Sequence, residues 1–126
     1  MNKLADILIA AIALLHFIIA YVEMFAWTTI GPKMFASFPA ELFEPTQAMA
    51  ANQGIYNAFL ATGLVWSLFI KDQIWHRNVA ACFLLFVAAA GLFGAATVSM
   101  TILFVQTVPS MIALICLYLG KSKQTT

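Results

Sequence analysis

His16 and Glu23 lie seven residues apart in a stretch with no other ionisable side chain save Tyr21. Imidazole and carboxyl groups exchange protons, and a carboxylate also binds cations. On a helix this spacing is close to two turns, so both groups share one stripe, about 10.5 Å apart along the axis. A direct hydrogen bond cannot cross that gap; a water or a ligand would have to bridge it. A second group follows in Asn52, Gln53, Tyr56 and Asn57. Asn52/Tyr56 and Gln53/Asn57 are i,i+4 pairs, and the four side chains fit within about 140° of a helix surface. Gln106 stands alone further on. These seven residues are the candidate ligand-binding set. No nucleophile elbow, phosphate loop or metal-ligand spacing accompanies them. No catalytic or metal-binding residue is therefore assigned, and no cofactor is implied. His76, beside Arg77 and close to Lys71, is expected at a membrane interface with its ring tip in water.

The elements that must position these groups are membrane helices. Of 126 residues, 63% are hydrophobic and 9% charged, against about 45–50% and about 25% in a soluble domain. The mean hydropathy is +0.95. This excludes a disordered chain, a collagen, a disulfide scaffold and an ordinary soluble enzyme. A net charge of +1 gives no basic footprint for nucleic acid. Cys82 and Cys116 fall in apolar runs without a CxxC and read as small buried hydrophobes. The N-terminal apolar run is too long for a signal-peptide core and reads as a retained span.

A crossing helix needs roughly 20 apolar residues, and four segments qualify: 5–27, 47–70, 78–97 and 101–119. The expected fold is all-α, a single integral membrane domain over 1–126 in the form of a four-helix bundle. Lys3, Lys71, Arg77, Lys121 and Lys123 then share one side and Lys33 the other, so both termini are expected in the cytoplasm. The loop 28–46 carries Met34, Phe35, Phe38, Leu42 and Phe43 between its charges. It reads either as an interfacial segment on the headgroups or as a cover folded over the bundle mouth. The third span offers small residues, with Ala90/Gly94 and Gly91/Ala95 as small-xxx-small pairs that let helices approach closely. Pro109 in the fourth span deprives the Val105 carbonyl of its usual donor and is expected to kink the helix.

Placing each midplane at the centre of its span puts Glu23 and Asn52 each about 10 Å outward, Gln53 about 9 Å, Gln106 about 7 Å, Tyr56 about 5 Å and Asn57 about 3 Å, with His16 near the middle. Three helices thus bring polar groups to the outer half, where they should face one another or a cavity. Interhelical hydrogen bonds average only about 0.6 kcal/mol, and seven polar groups including Glu and His exceed what packing requires.

His16 and Glu23, the block Asn52-Gln53-Gly54-Ile55-Tyr56-Asn57, the Gly-rich third span and Gln106 before Pro109 together resemble a bacterial family of small four-span membrane proteins, the domain-of-unknown-function family thirteen-oh-four. The resemblance runs through nearly the whole chain. It implies a multi-pass inner (plasma) membrane protein and carries no substrate or reaction. The residues themselves leave three readings. One is a protein that binds or transports a small polar or amphipathic solute, with Glu23 exchanging a proton or holding a cation. The second is a membrane enzyme acting on a lipid or isoprenoid-like molecule through Glu23 and His16. The third is a structural or accessory protein that packs through its small-residue helix. The lipid bilayer is the expected partner, a small molecule or lipid the expected ligand. A transporter this short would need a homodimer to build two gates.

Overall fold

The computed structural model describes residues 2–120, which fold into five helices with no strand among them. Lys121 and Lys123, counted in the charge asymmetry, lie outside the described residues. Helix α1 spans Lys3–Phe25. The Asn2 side chain starts it by accepting from the Leu4 N–H at 3.2 Å, a cap that satisfies one of the free amides of the first turn. Helix α2 is a single turn, Gly31–Met34, with Pro32 in its first turn. A 3₁₀ turn at Ala40–Leu42 follows. Helix α3 spans Gln47–Phe69 and α4 spans Gln73–Thr97. Asp72 caps α4, its carboxylate accepting from the Ile74 and Trp75 amides at 3.0 and 2.8 Å. Helix α5 spans Val108–Leu119.

Helices α1 and α4 are long and apolar enough to cross a membrane. Helix α3 matches α1 in length but carries the Asn and Gln side chains, and the apolar segment Leu103–Leu119 is shorter.

The four longer helices pack in the cyclic order α1, α3, α4, α5, each antiparallel to its neighbours. Ile9, Leu64, Leu84 and Val87 are fully buried at the centre. Close approach is local and specific. A side chain at Gly63 would strike the Phe83 ring, so α3 and α4 touch only because Gly63 has none. Gly91 plays the same part between α4 and the entry to α5, lying against Thr107 and Gln106.

The kink expected at Pro109 takes a particular form. Leu103–Thr107 is a π-helical turn in which the Val108 N–H reaches back to the Leu103 carbonyl. The wider turn accommodates a proline that cannot donate. It also carries the Thr107 hydroxyl across to donate to the Ala88 carbonyl at 3.0 Å, so the irregular backbone is fastened to α4.

The loop 28–46 folds over the joined ends of α1 and α3. The Trp27 ring lies 4.8 to 5.6 Å from those of Phe43, Phe35 and Phe38. Its indole N–H donates to the Thr46 hydroxyl at 3.0 Å, and Phe43 is buried. The segment thus folds on itself around Trp27 at the joined ends of α1 and α3.

Candidate functional site

Glu23 and Asn57 meet where the last two turns of α1 cross the first half of α3. Gly54 sets the distance. A Cβ there would come within 2.5 Å of the Met24 side chain and 3.0 Å of the Ala20 carbonyl. With hydrogen in its place, α3 lies flush on α1 and Asn57, one turn further on, reaches Glu23. The Asn57 amide donates to Glu23 Oε2 at 2.7 Å, a short hydrogen bond. The same amide nitrogen lies 3.5 Å from the Gln53 carbonyl, which helps hold its orientation.

Glu23 also lines a groove of about 390 Å³ between the end of α1 and the start of α3. Trp27, Thr28, Gln47 and Ala51 form other parts of its wall, and Met24 and Phe25 supply apolar surface. The groove therefore offers a carboxylate, a hydroxyl and an amide beside apolar surface, while the indole N–H is already given to Thr46. Such a mixture suits an amphipathic molecule with a single polar head. A second hollow of about 450 Å³ adjoins it, sharing Ala48 and lined also by Met49, Asn52 and Gln53.

The seven candidate residues are divided by the structure. Glu23 and Asn57 are bonded to each other. Asn52 and Gln53 line the neighbouring hollow, and both are exposed. Tyr56 is 52% exposed and turned away from the helix contacts. The three were expected to face other helices or a cavity; Asn52 and Gln53 border the hollow, while the side of α3 packed on α1 at Gly54 leaves Tyr56 outside. Gln106 is half-buried and lies against Gly91 on α4, outside both grooves.

His16 is fully buried and lines neither groove. Its Nδ1 donates to the Ile12 carbonyl at 2.8 Å. A carbonyl only accepts, so Nδ1 carries the proton, and in the neutral ring Nε2 presents a lone pair. Nε2 has no hydrogen-bond partner among the described residues.

At the opposite end of the molecule lies a cluster that sequence reasoning missed. His76 is 3% exposed, not an interfacial side chain with a wet tip. Its Nδ1 donates to the Ser67 carbonyl at 2.8 Å, and Nε2 lies 3.2 Å from Asp6 Oδ1. Three helices meet there: the first turn of α1, the last turn of α3 and the first turn of α4. The Ser67 carbonyl belongs to the negative end of α3, which favours a donor. With Nδ1–H committed to that carbonyl, Nε2 and Oδ1 lie close together, yet neither atom makes a hydrogen bond among the described residues. The sole sequence signal was the recurrence of Asp6, Ser67 and His76 at helix ends that a four-span topology brings to one side. No group of three or more metal-ligating side chains gathers anywhere among the described residues.

Comparison with known proteins identifies the chain by family. The family described as "Protein of unknown function (DUF1304)" matches residues 10–118. The uncharacterized protein YpaA of Lactococcus lactis subsp. lactis (strain IL1403) is 28% identical over 117 residues, which cover 91% of this chain and 97% of that protein. No solved structure matches. With most of its length matched, the chain belongs to the DUF1304 family.

Proposed function

We propose that this member of the DUF1304 family is a four-span inner-membrane protein that binds an amphipathic solute at its outer face, with Glu23 receiving the solute's cationic or proton-donating head. Both termini lie in the cytoplasm in this reading, and the loop 28–46 covers the outer mouth. The observation that carries it is the placement of one carboxylate, fixed by Asn57 at 2.7 Å, in the wall of an open groove that presents polar and apolar surface in similar measure. An ionisable group facing lipid would be costly; a groove that admits water and a counter-charge removes that cost. Trp27 adds an aromatic face to the same wall, and aromatic faces attract ammonium groups. The apolar remainder of the wall suits a hydrocarbon tail. Whether the solute is carried across or only held is a property of the same site, because exchange at Glu23 is the first step in either case.

The acid–base alternative finds less support. Glu23 lines the groove and His16 does not, so no pair of proton-transferring groups faces one substrate.

Trp27 supplies the test. In protein reconstituted into nanodiscs, with Trp66 and Trp75 replaced by Phe, Trp27 fluorescence is titrated with decyltrimethylammonium and with decanol. The ammonium is expected to give a saturable change, weakened at least tenfold by Glu23→Gln, while decanol binds equally to both forms. Equal binding of the ammonium to the two forms would overturn the reading.

A further inference from the structure

Helix α3 bears polar side chains that nothing in its own chain pairs. Asn52 and Gln53 are exposed, Tyr56 is 52% exposed, and none makes a side-chain hydrogen bond among the described residues. Met49 and Phe59, 71% and 58% exposed, flank them along the same side. From the four-span reading, on which this inference rests, it follows that this face meets hydrocarbon. The helix of 23 residues is about 34 Å long, against a hydrocarbon core of about 30 Å. Asn52 and Gln53 then lie about 5 Å or more inside the core and Tyr56 about 10 Å. Two amides and a phenol left there without partners would cost several kcal/mol.

We propose that a second copy of this chain covers them, the two α3 helices running side by side about a two-fold axis along the membrane normal. Three observations select a second copy over a lipid head. Helix α3 carries no charged residue from Gln47 to Phe69, so it has no handle for a phosphate. An amide is both donor and acceptor, so identical amides facing across a two-fold axis satisfy each other, as interhelical Asn and Gln do in membranes. The hollow beside Ala48, Met49, Asn52 and Gln53 gives the partner helix a recess into which its own Met49 can seat. Such an isologous contact is closed by symmetry and builds a dimer without propagating further. The shared Ala48 places each dimer contact directly beside a Glu23 groove.

Oxidative cross-linking in native membranes tests the pairing. Cys82 and Cys116 are replaced by Ser, and single cysteines are introduced by Met49→Cys or Phe59→Cys, with Leu85→Cys and Leu92→Cys on α4 as equally exposed controls. The α3 reporters are expected to form disulfide-linked dimers at least fivefold more efficiently than the α4 controls. Adding Asn52→Leu and Gln53→Leu is expected to reduce that yield at least threefold, and Asn52→Ala alone to lower it measurably. Reporters that link no better than the controls, or that are indifferent to loss of the amides, would overturn the proposal. A membrane-impermeant maleimide separates the causes. If Phe59→Cys reacts freely from water, α3 does not cross the membrane and the four-span reading falls with the dimer. If Phe59→Cys is shielded yet not cross-linked, the dimer alone is wrong.

Discussion

The two ends of this molecule treat a carboxylate in opposite ways. At the end where Asn2 and Gly120 lie together, Asp6 sits against His76, with the Ser67 carbonyl at the other nitrogen of the ring. At the end covered by the 28–46 loop, Glu23 has one partner on one neighbouring helix and an open groove beside it. The first end reads as structure: a buried His76 and a partly exposed Asp6 lie side by side where three helices meet. The open end suits the exchange proposed above, because a carboxylate that is positioned but not enclosed can meet a species from outside. The contrast teaches that ionisable residues within apolar helices need separate readings even in one short chain. Between the two ends Ile9, Leu64 and Leu84 are fully buried and line neither groove.

The comparison predicts different costs for breaking each end. The largest loss of stability is expected from His76→Ala, which takes the donor from the Ser67 carbonyl and removes the ring packed beside Asp6. Removing one partner of a buried pair costs about 3–5 kcal/mol, and partial exposure of Asp6 reduces this to about 2–3 kcal/mol. Thermal melts in detergent should show it, and a loss below about 0.5 kcal/mol would mean the cluster holds nothing together. Gly54→Val comes next, at about 1–2 kcal/mol, since overpacking against the Ala20 carbonyl must shift one helix. It should also part Glu23 from Asn57 and so weaken ammonium binding, which His76→Ala should leave intact in the folded fraction.

A smaller effect of opposite sign is expected from His16→Leu. An unpartnered buried nitrogen costs a fold about 1–3 kcal/mol, and a similar apolar side chain relieves it, so the variant should melt at the same temperature or higher. Clear destabilisation would show that Nε2 has a partner in the membrane. Glu23→Gln is expected to change stability least, within about 0.5 kcal/mol, because Gln still accepts from the Asn57 amide. The same substitution should have the largest effect on ligand binding, and a large stability loss would move Glu23 to the structural side of the comparison.

Much of the fold was legible in the sequence because long apolar runs have few alternatives. The helix α1 and the break between α4 and α5 follow from hydropathy and turn chemistry, and Gly91 from its place in a small-residue helix. The polar block of α3 was visible as a block, yet periodicity fixes only the relative angles of side chains. It cannot say which side of the helix meets α1, and that choice sent Asn57 inward and left Asn52, Gln53 and Tyr56 exposed. Gly54, inside the same block, is the residue that decides it, through the close approach it permits. His76 was misread for another reason. Its neighbours Lys71, Asp72 and Arg77 mark a wet boundary, while the partner that buries it, Asp6, comes from the first turn of a different helix. The family match confirms the membership that the residues suggested and leaves the chemistry to the site.

Site-directed labelling from the two sides of the membrane tests the contrast most directly. In a background lacking Cys82 and Cys116, Gln47→Cys places a thiol in the wall of the open groove and Ser67→Cys places one in the sealed cluster. An impermeant maleimide should label Gln47→Cys from the outer side, decyltrimethylammonium should slow that labelling several-fold, and Ser67→Cys should stay unlabelled from either side. Labelling of Gln47→Cys that the ammonium leaves unchanged, together with ready reaction at Ser67→Cys, would contradict the assignment of an open binding end and a closed structural one.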